Sequence, residues 1–424
     1  MRSTIVGVEA REVFTSRGHP GVEATVITEN GSTGVAMCTA GLSIGSHEIP
    51  FVYDGGERWR GKGVMRAVDS IKEKIAPAIL GLDASNQIEV DSAMLAIGKD
   101  VLGGNSTGAV SAAVLKAGAA SLGIPLYAHI GGASSYTLPV PGVGNLGGSN
   151  RYGVYSKKNG NKPTHAFMAY DFETFSEASY ALWDIQERWV TEIEKHFGIL
   201  IGMGAGTDIG PGHVKSDVEF WDLMAEIITK YGYEGKIGIQ VDIASDTYFN
   251  KATNRFEGLF DTTPRDMDQL MAFLIDMPKK WPFVIIEDPL PEDDYELTGE
   301  FTKAVDIQVV GDDLFTTNPE RVLEGIKHGA ANTVLLKVNQ IGTITEAFDM
   351  VALAYQNGYG VMPCASRGEG IDICDYSIGL KVGSVRECGT GEAGNRFLKI
   401  EKELGSRVKF AGKHGLKGSR FAIK

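Results

Sequence analysis

Cysteine is scarce in this 424-residue chain: there are four, none in a C-x-x-C pair. That pattern excludes a disulfide scaffold and the usual zinc and dithiol motifs, and it predicts reduced, partly buried thiols at Cys38, Cys364, Cys374 and Cys388. Long apolar runs are missing too. No stretch of about 18 apolar residues occurs, so no membrane-spanning helix is expected. Positive charge is in deficit, with 41 Lys and Arg against 54 Asp and Glu and a formal charge of −13. Nucleic acid and anionic membrane both need clustered cations to replace counterions, so neither is expected as a partner. The acidic residues are spread along the chain rather than gathered in a tail, as on a solvated surface. Residues Met1–Phe14 carry neither the apolar core of a signal peptide nor an Arg- and Ser-rich amphipathic leader, which predicts a cytoplasmic protein. A small molecule is the ligand class that remains.

A chain of this length can bury one large core and a smaller one. Residues 1–135 mix hairpin-like strands with helices. Val22 to Thr28 alternates, Glu29-Asn30-Gly31-Ser32 makes a turn, and Thr33 to Met37 returns. Helical patterns follow at Val64 to Leu80, Gln87 to Ala96 and Ser106 to Leu122. Leu138-Pro139-Val140-Pro141 then punctuates the chain. In the second domain, residues 136–424, short apolar strands alternate with helical segments such as Pro319 to Gly329 and Thr343 to Asn357. The clearest strands are Ile237 to Ile243, Phe283 to Glu287, Ile307 to Gly311, Thr333 to Val338 and Gly360 to Cys364. Strands apolar at nearly every position, separated by helices, predict a parallel sheet covered on both faces. The length suits an α/β fold of the (β/α)8 barrel kind, with a doubly wound open sheet as the alternative.

Four of these strands end in a charge: Asp242, Glu287, Asp312 and Lys337. A lone buried charge costs several kcal/mol unless it is paired or bound to metal, so the four are expected to converge. In a barrel the carboxyl ends of all strands meet at one face. Three hard carboxylates with no His or Cys beside them suit Mg²⁺ rather than zinc. Lys337, desolvated and close to a cation, is expected to have a lowered pKa and to act as a base. The neighbouring Asp288 and Asp313 read as caps of the turns that follow.

These residues lie in a wider pattern. It comprises Ala10 to Pro20, Pro125 to Gly132, Asp242-Ile-Ala-Ser245, Ile286 to Asp294, Val310 to Leu314 with Thr317-Asn-Pro319, and Leu336 to Thr343. Taken in collinear order over most of the chain, they resemble the enolase family. The resemblance implies an N-terminal α+β capping domain, an enolase-type barrel, a homodimer, and two Mg²⁺ ions during turnover. It implies that Asp242, Glu287 and Asp312 hold the first metal, and that Lys337 removes the proton α to a carboxylate before water is eliminated, as from 2-phosphoglycerate.

Other family positions are altered. Where the family has a metal-binding Ser, this chain has Ala40; where it has His, Asn150; where it has Gln-Glu-Phe, His165-Ala166-Phe167. Asp208 best matches a family Glu that helps expel hydroxyl. The phosphate-gripping stretch reads Cys364-Ala-Ser366-Arg367-Gly-Glu369, and Arg386 replaces a carboxylate-binding Lys, offering a fork instead of a point donor. On this reading Lys337 and Asp208 are catalytic, and Asn150, His165, Ser366, Arg367 and Arg386 bind substrate. The losses cluster in acid, phosphate and second-metal functions. They suggest a small hydroxy acid other than 2-phosphoglycerate as substrate, or alternatively a non-catalytic, metal-binding relative that binds a ligand or partner.

Three motifs carry less. Gly41-Leu-Ser43-Ile-Gly45 matches a nucleophile elbow but lacks the helix that must follow it. Gly204-Ala-Gly206 starts a dinucleotide fingerprint whose third glycine comes late, and Gly103 to Gly108 lacks the P-loop Lys, so it reads as a turn and N-cap. His47 and His165 are candidate proton donors or simple hydrogen-bonding groups.

Overall fold

The computed structural model describes residues 2–15, 18–41, 44–148, 150–153, 162–198 and 207–423. Its N-terminal part is the antiparallel sheet β1 (Ile5–Phe14), β2 (Pro20–Thr28) and β3 (Thr33–Cys38), in that order. The expected hairpin is present, with Val22 opposite Cys38 and Ile27 opposite Thr33. Helix Gly104–Leu122 packs on β2 and β3. The approach is so close that a Cβ on Gly34 would stand 2.0 Å from the carbonyl oxygen of Ala113, which only glycine avoids. Val22, Val26, Ile71, Val110 and Val114 belong to a separate small core here. The long helix starts at Gly104, so Asn105 to Gly108 are helical rather than a preceding turn.

The larger core lies in and around a barrel. Its strands are β4 (Gly142–Gly147), β5 (Thr164–Ala169), β6 (Ile237–Asp242), β7 (Phe283–Glu287), β8 (Gln308–Gly311), β9 (Thr333–Leu336) and β10 (Gly360–Pro363), hydrogen-bonded in that order. Residues 384–386 fill the eighth position, bridged to Val140 on one side and Cys364 on the other. Val385 N donates to Val140 O and Arg386 N to Pro363 O, which closes the ring. The α/β barrel class is as expected, but the sheet is not wholly parallel: β5 runs antiparallel to both β4 and β6. Helices cover the outer face, starting at well-formed caps such as Thr343, which accepts from Glu346 N, and the capping box of Asp266 and Gln269. No single helix among the described residues is long and apolar enough to cross a membrane. All four cysteines are buried and free.

Candidate active site

Asp242 and Glu287, the last residues of β6 and β7, stand opposite one another in the sheet. Asp312 and Lys337 follow β8 and β9 directly. All four are buried, and all four converge at one end of the barrel. Lys337 Nζ donates to Asp312 Oδ2, and Asp312 Oδ1 accepts from Gln340 Nε2 at 2.8 Å. Arg386 Nη1 lies 2.6 Å from Asp242 Oδ2 and 2.9 Å from Glu287 Oε1, while its Nη2 donates to Thr164 Oγ1 at 2.9 Å. The ammonium of Lys162 forms a second ion pair with Asp242 Oδ2. Gln240 Nε2 donates to the other oxygen of Glu287 at 3.2 Å. Lys162 and Thr164 reach this end because β5 is reversed, which brings the residues that precede it, and not those that follow, to the pocket.

A segment of the N-terminal part covers the same end. Thr39 N donates to Arg367 O, and Asn339 Nδ2 donates to Thr39 O at 2.9 Å. Glu48 and Arg367 form a buried two-pronged ion pair, and Gly45 N donates to Glu48 Oε1 at 3.0 Å. Outside them, Ser46 bonds to Glu292, and His47 Nε2 lies 2.8 Å from Asp293 Oδ1. Non-glycine residues with positive φ gather just beyond the strand ends: Ala244, Asp288, Thr316 and Thr317. Such backbone is costly and persists where the surroundings over-determine it, commonly at functional sites.

The electrostatics follow from burial and pairing. Burial pulls the Lys337 amine down, but the carboxylate of Asp312 outweighs it and the net direction is upward. The expected lowering is therefore corrected: the lysine is held here as an ammonium by its partner. Burial and then the nearby Arg386 bring Lys162 down to about 8. Burial, reinforced by the adjacent Asp312, pushes Asp313 up to about 7. Asp288 accepts the backbone N–H groups of Asp312 and Asp313 at 3.0 and 2.8 Å, so it does cap the following turn.

The donor set fits a hard divalent cation. Ligand oxygens of Glu287, Asp288 and Asp312 lie within 4.8 Å of one another, and Asp242 Oδ1 is buried with no hydrogen-bond partner among the described residues. The carboxylate of Asp288 is committed to backbone donors and Asp242 stands outside that group of three, so the carboxylates that could hold a cation are Glu287, Asp312 and, on rearrangement, Asp242, each facing a protein cation.

Models of the enolase N-terminal domain and of the enolase C-terminal TIM barrel domain match residues 5–130 and 135–419. Proteins named enolase from Methanopyrus kandleri, Pyrococcus furiosus and Bifidobacterium animalis subsp. lactis are 38%, 36% and 35% identical to it. Those alignments cover 96%, 96% and 99% of this chain and 97%, 97% and 99% of theirs. This chain belongs to the enolase family. It is an enolase-family lyase, built on the family's TIM barrel and N-terminal domain.

Against that frame of an enolase, the residues expected to bind substrate separate. Arg386 is in the pocket, but it bridges Asp242 and Glu287 instead of standing apart from the carboxylates. Arg367 is buried on Glu48 and fastens the covering segment. Ser366 is half-buried just before it. Asn150, with φ of 61°, follows the end of β4, and exposed Asp208 pairs with Gly147 there, so both lie on the rim at this end. His165 is a correction. Thr164 and Ala166 share the inner face of β5, whereas His165 faces the helix layer and its Nε2 accepts from Trp221 Nε1 at 2.9 Å. Burial brings this imidazole down to about 3, so it stays neutral and is neither a substrate ligand nor a proton donor. His47 is exposed and spent on Asp293. Ser43 and Gly204 to Gly206 lie outside the described residues.

Lys162, Glu48 and Gln240 were not foreseen. A signal for Lys162 existed: between Gly147 and Thr164 the sequence is rich in Gly, Asn, Lys and Ser with no helical period. Parallel strands need a crossover, usually a helix, so its lack points to a reversed strand with its start at the active end.

Proposed function

We propose that this enolase-family lyase is Mg²⁺-dependent, removes the proton α to a carboxylate with Lys337, and eliminates water from a small hydroxy acid other than 2-phosphoglycerate. The observation that carries the reading is the convergence of Lys337 with Asp242, Glu287 and Asp312 in one buried cluster at the carboxyl ends of four strands. Mg²⁺ held by the three carboxylates would supply the positive charge against which electron density builds on the substrate's carboxylate. Lys337 is positioned by its backbone N–H on Thr317 Oγ1 at 3.0 Å, and it would become the base when a cation takes Asp312, the carboxylate that otherwise holds it as an ammonium. Arg386 offers a planar fork to the acid, and the pair of Glu48 and Arg367 holds the covering segment that keeps water out.

The inner face of β5 supports the change of substrate, because the carboxylate the family places there is the methyl of Ala166. Proton delivery to the departing hydroxyl is assigned to Asp208, on the rim. The partner is a small carboxylate, with no nucleic acid or membrane, and the chain acts in the cytoplasm as a homodimer. The deciding experiment is solvent deuterium exchange at the α-carbon of a panel of hydroxy acids with Mg²⁺ present. Exchange that depends on Lys337 is expected. Its absence across the panel would favour a binding role, and conversion of 2-phosphoglycerate to phosphoenolpyruvate at ordinary enzymic rates would refute the change of substrate.

A further inference from the structure

The structure assigns Gln340 as a positioning residue for the metal site: its side-chain amide holds Asp312 turned toward the cation, and does so from between two buried carboxylates. This rests on the metal-assisted reading above and deepens it, by naming a residue outside the proposed ligands and base on which the site depends.

Gln340 lies in the one-turn helix Val338–Ile341 that begins directly after Lys337, and it is fully buried. Its backbone N donates to Lys337 O at 3.0 Å, which ties its place to that of the base. Every polar atom of the side chain is used. Nε2 donates to Asp312 Oδ1 at 2.8 Å and to Glu48 Oε1 at 3.3 Å, and Oε1 accepts from Thr317 Oγ1 at 2.7 Å. An amide nitrogen carries two protons, and here each is given to a different acid. The reverse orientation would set the amide oxygen against two carboxylates, so charge decides which way the amide lies. The Thr317 hydroxyl fixes that choice from the other side, and the same Oγ1 accepts from Lys337 N at 3.0 Å.

Among the described residues Asp312 takes one side-chain bond at each oxygen, from Lys337 at Oδ2 and from Gln340 at Oδ1. A cation seated on Asp312 takes the place of Lys337, and Gln340 is then the side chain left to hold the plane of the carboxylate. A ligand that can turn binds less well, and hydrogen bonds that orient a ligand are commonly worth about 10–100-fold in metal affinity. Glu287 has a comparable partner in Gln240 at 3.2 Å. Of these two glutamines, Gln340 is the one that reaches the covering segment. The second proton of its amide goes to Glu48, whose other donors are Arg367 and Gly45 N. Methionine at 340 has similar length but leaves two buried acids each a donor short, and glutamate sets a third carboxylate beside them.

The test is a double-mutant cycle on Mg²⁺ affinity, read by titration calorimetry on the whole protein, with circular dichroism reporting that each variant folds. Gln340→Met should weaken Mg²⁺ binding about 10–100-fold. In an Asp312→Asn background the same substitution should weaken it by no more than about twofold further, because it acts through that carboxylate; a general loosening of the fold would lower affinity by the same factor in both backgrounds. Thr317→Val removes the hydroxyl that orients the amide and touches neither acid. It should weaken Mg²⁺ in the same direction, whereas Thr317→Ser, which keeps the hydroxyl, should stay within about threefold of the wild type. Unchanged affinity in Gln340→Met, or equal losses in both backgrounds, would overturn the assignment and leave the lyase reading intact. If Gln340→Met does not fold, unchanged affinity in Thr317→Val overturns it instead. A wild-type titration that shows no Mg²⁺ binding would overturn both.

Discussion

Two buried charge clusters lie near the active end of the barrel, and they are built differently. Arg151 meets Asp217 through Nε at 2.8 Å and Nη2 at 2.7 Å, and its remaining donors reach the carbonyl oxygens of Gly147, Gly148 and Pro163. Tyr152 completes Asp217. Every charged group there is saturated by hydrogen bonds, and the pair ties the end of β4 to the start of β5. In the pocket one carboxylate is left unsaturated. One Arg386 nitrogen serves two carboxylates, one Asp242 oxygen faces two cations, and the other has no hydrogen bond among the described residues. A closed ion pair fixes backbone, whereas an open one keeps valence for a ligand.

The comparison can be broken most decisively at Lys337. Lys337→Met should lower α-proton exchange by about 10⁴-fold, read as deuterium incorporation by mass spectrometry; exchange that survives would remove the base from the pocket. Asp217→Ala should destabilise the fold by about 3–5 kcal/mol, because it strands a buried guanidinium. A denaturant midpoint close to wild type would show that the closed pair is not structural. Asp242→Asn should weaken Mg²⁺ binding by at least about 10–100-fold, the range seen even for groups that only support a metal ligand. Titration of the ion gives that number directly, and unchanged affinity would move the site elsewhere.

The smallest effect is a pH dependence at His165, which points away from the pocket and toward the Arg151–Asp217 pair. Its folded pKa of about 3 lies below the ordinary 6.5, so between those values the unfolded chain binds the extra proton. The stability it contributes is whole above pH 6.5 and is lost as pH falls, by about 2 kcal/mol at pH 5. His165→Phe should flatten the midpoint's slope between pH 7 and 5; an unaltered slope would mean that the imidazole is protonated in the fold.

Much of this was legible beforehand. Asp242, Glu287, Asp312 and Lys337 stood out because a charge that ends an apolar strand needs a reason, and the barrel supplies it by bringing strand ends together. Asp288 as a turn cap followed from its place beside one of them. His165 was misplaced because a resemblance aligns positions, whereas strand alternation turns each successive side chain to the opposite face. Lys162 was overlooked because a cation before a strand reaches the active end only if that strand is reversed. Arg386 was expected to touch substrate, and its hold on two carboxylates was invisible, since its segment joins the barrel by isolated bridges with little strand pattern of its own.

The sequence by itself determined the α/β class, the small separate N-terminal core, and which residue types could carry metal and proton chemistry. These depend on period, length and side-chain identity, all local to the chain. Only the tertiary structure decided which cation faces which carboxylate. The energy of a charge pair depends on separation and burial, and neither is encoded by distance along the chain from Lys162 to Asp242 or from Glu287 to Arg386.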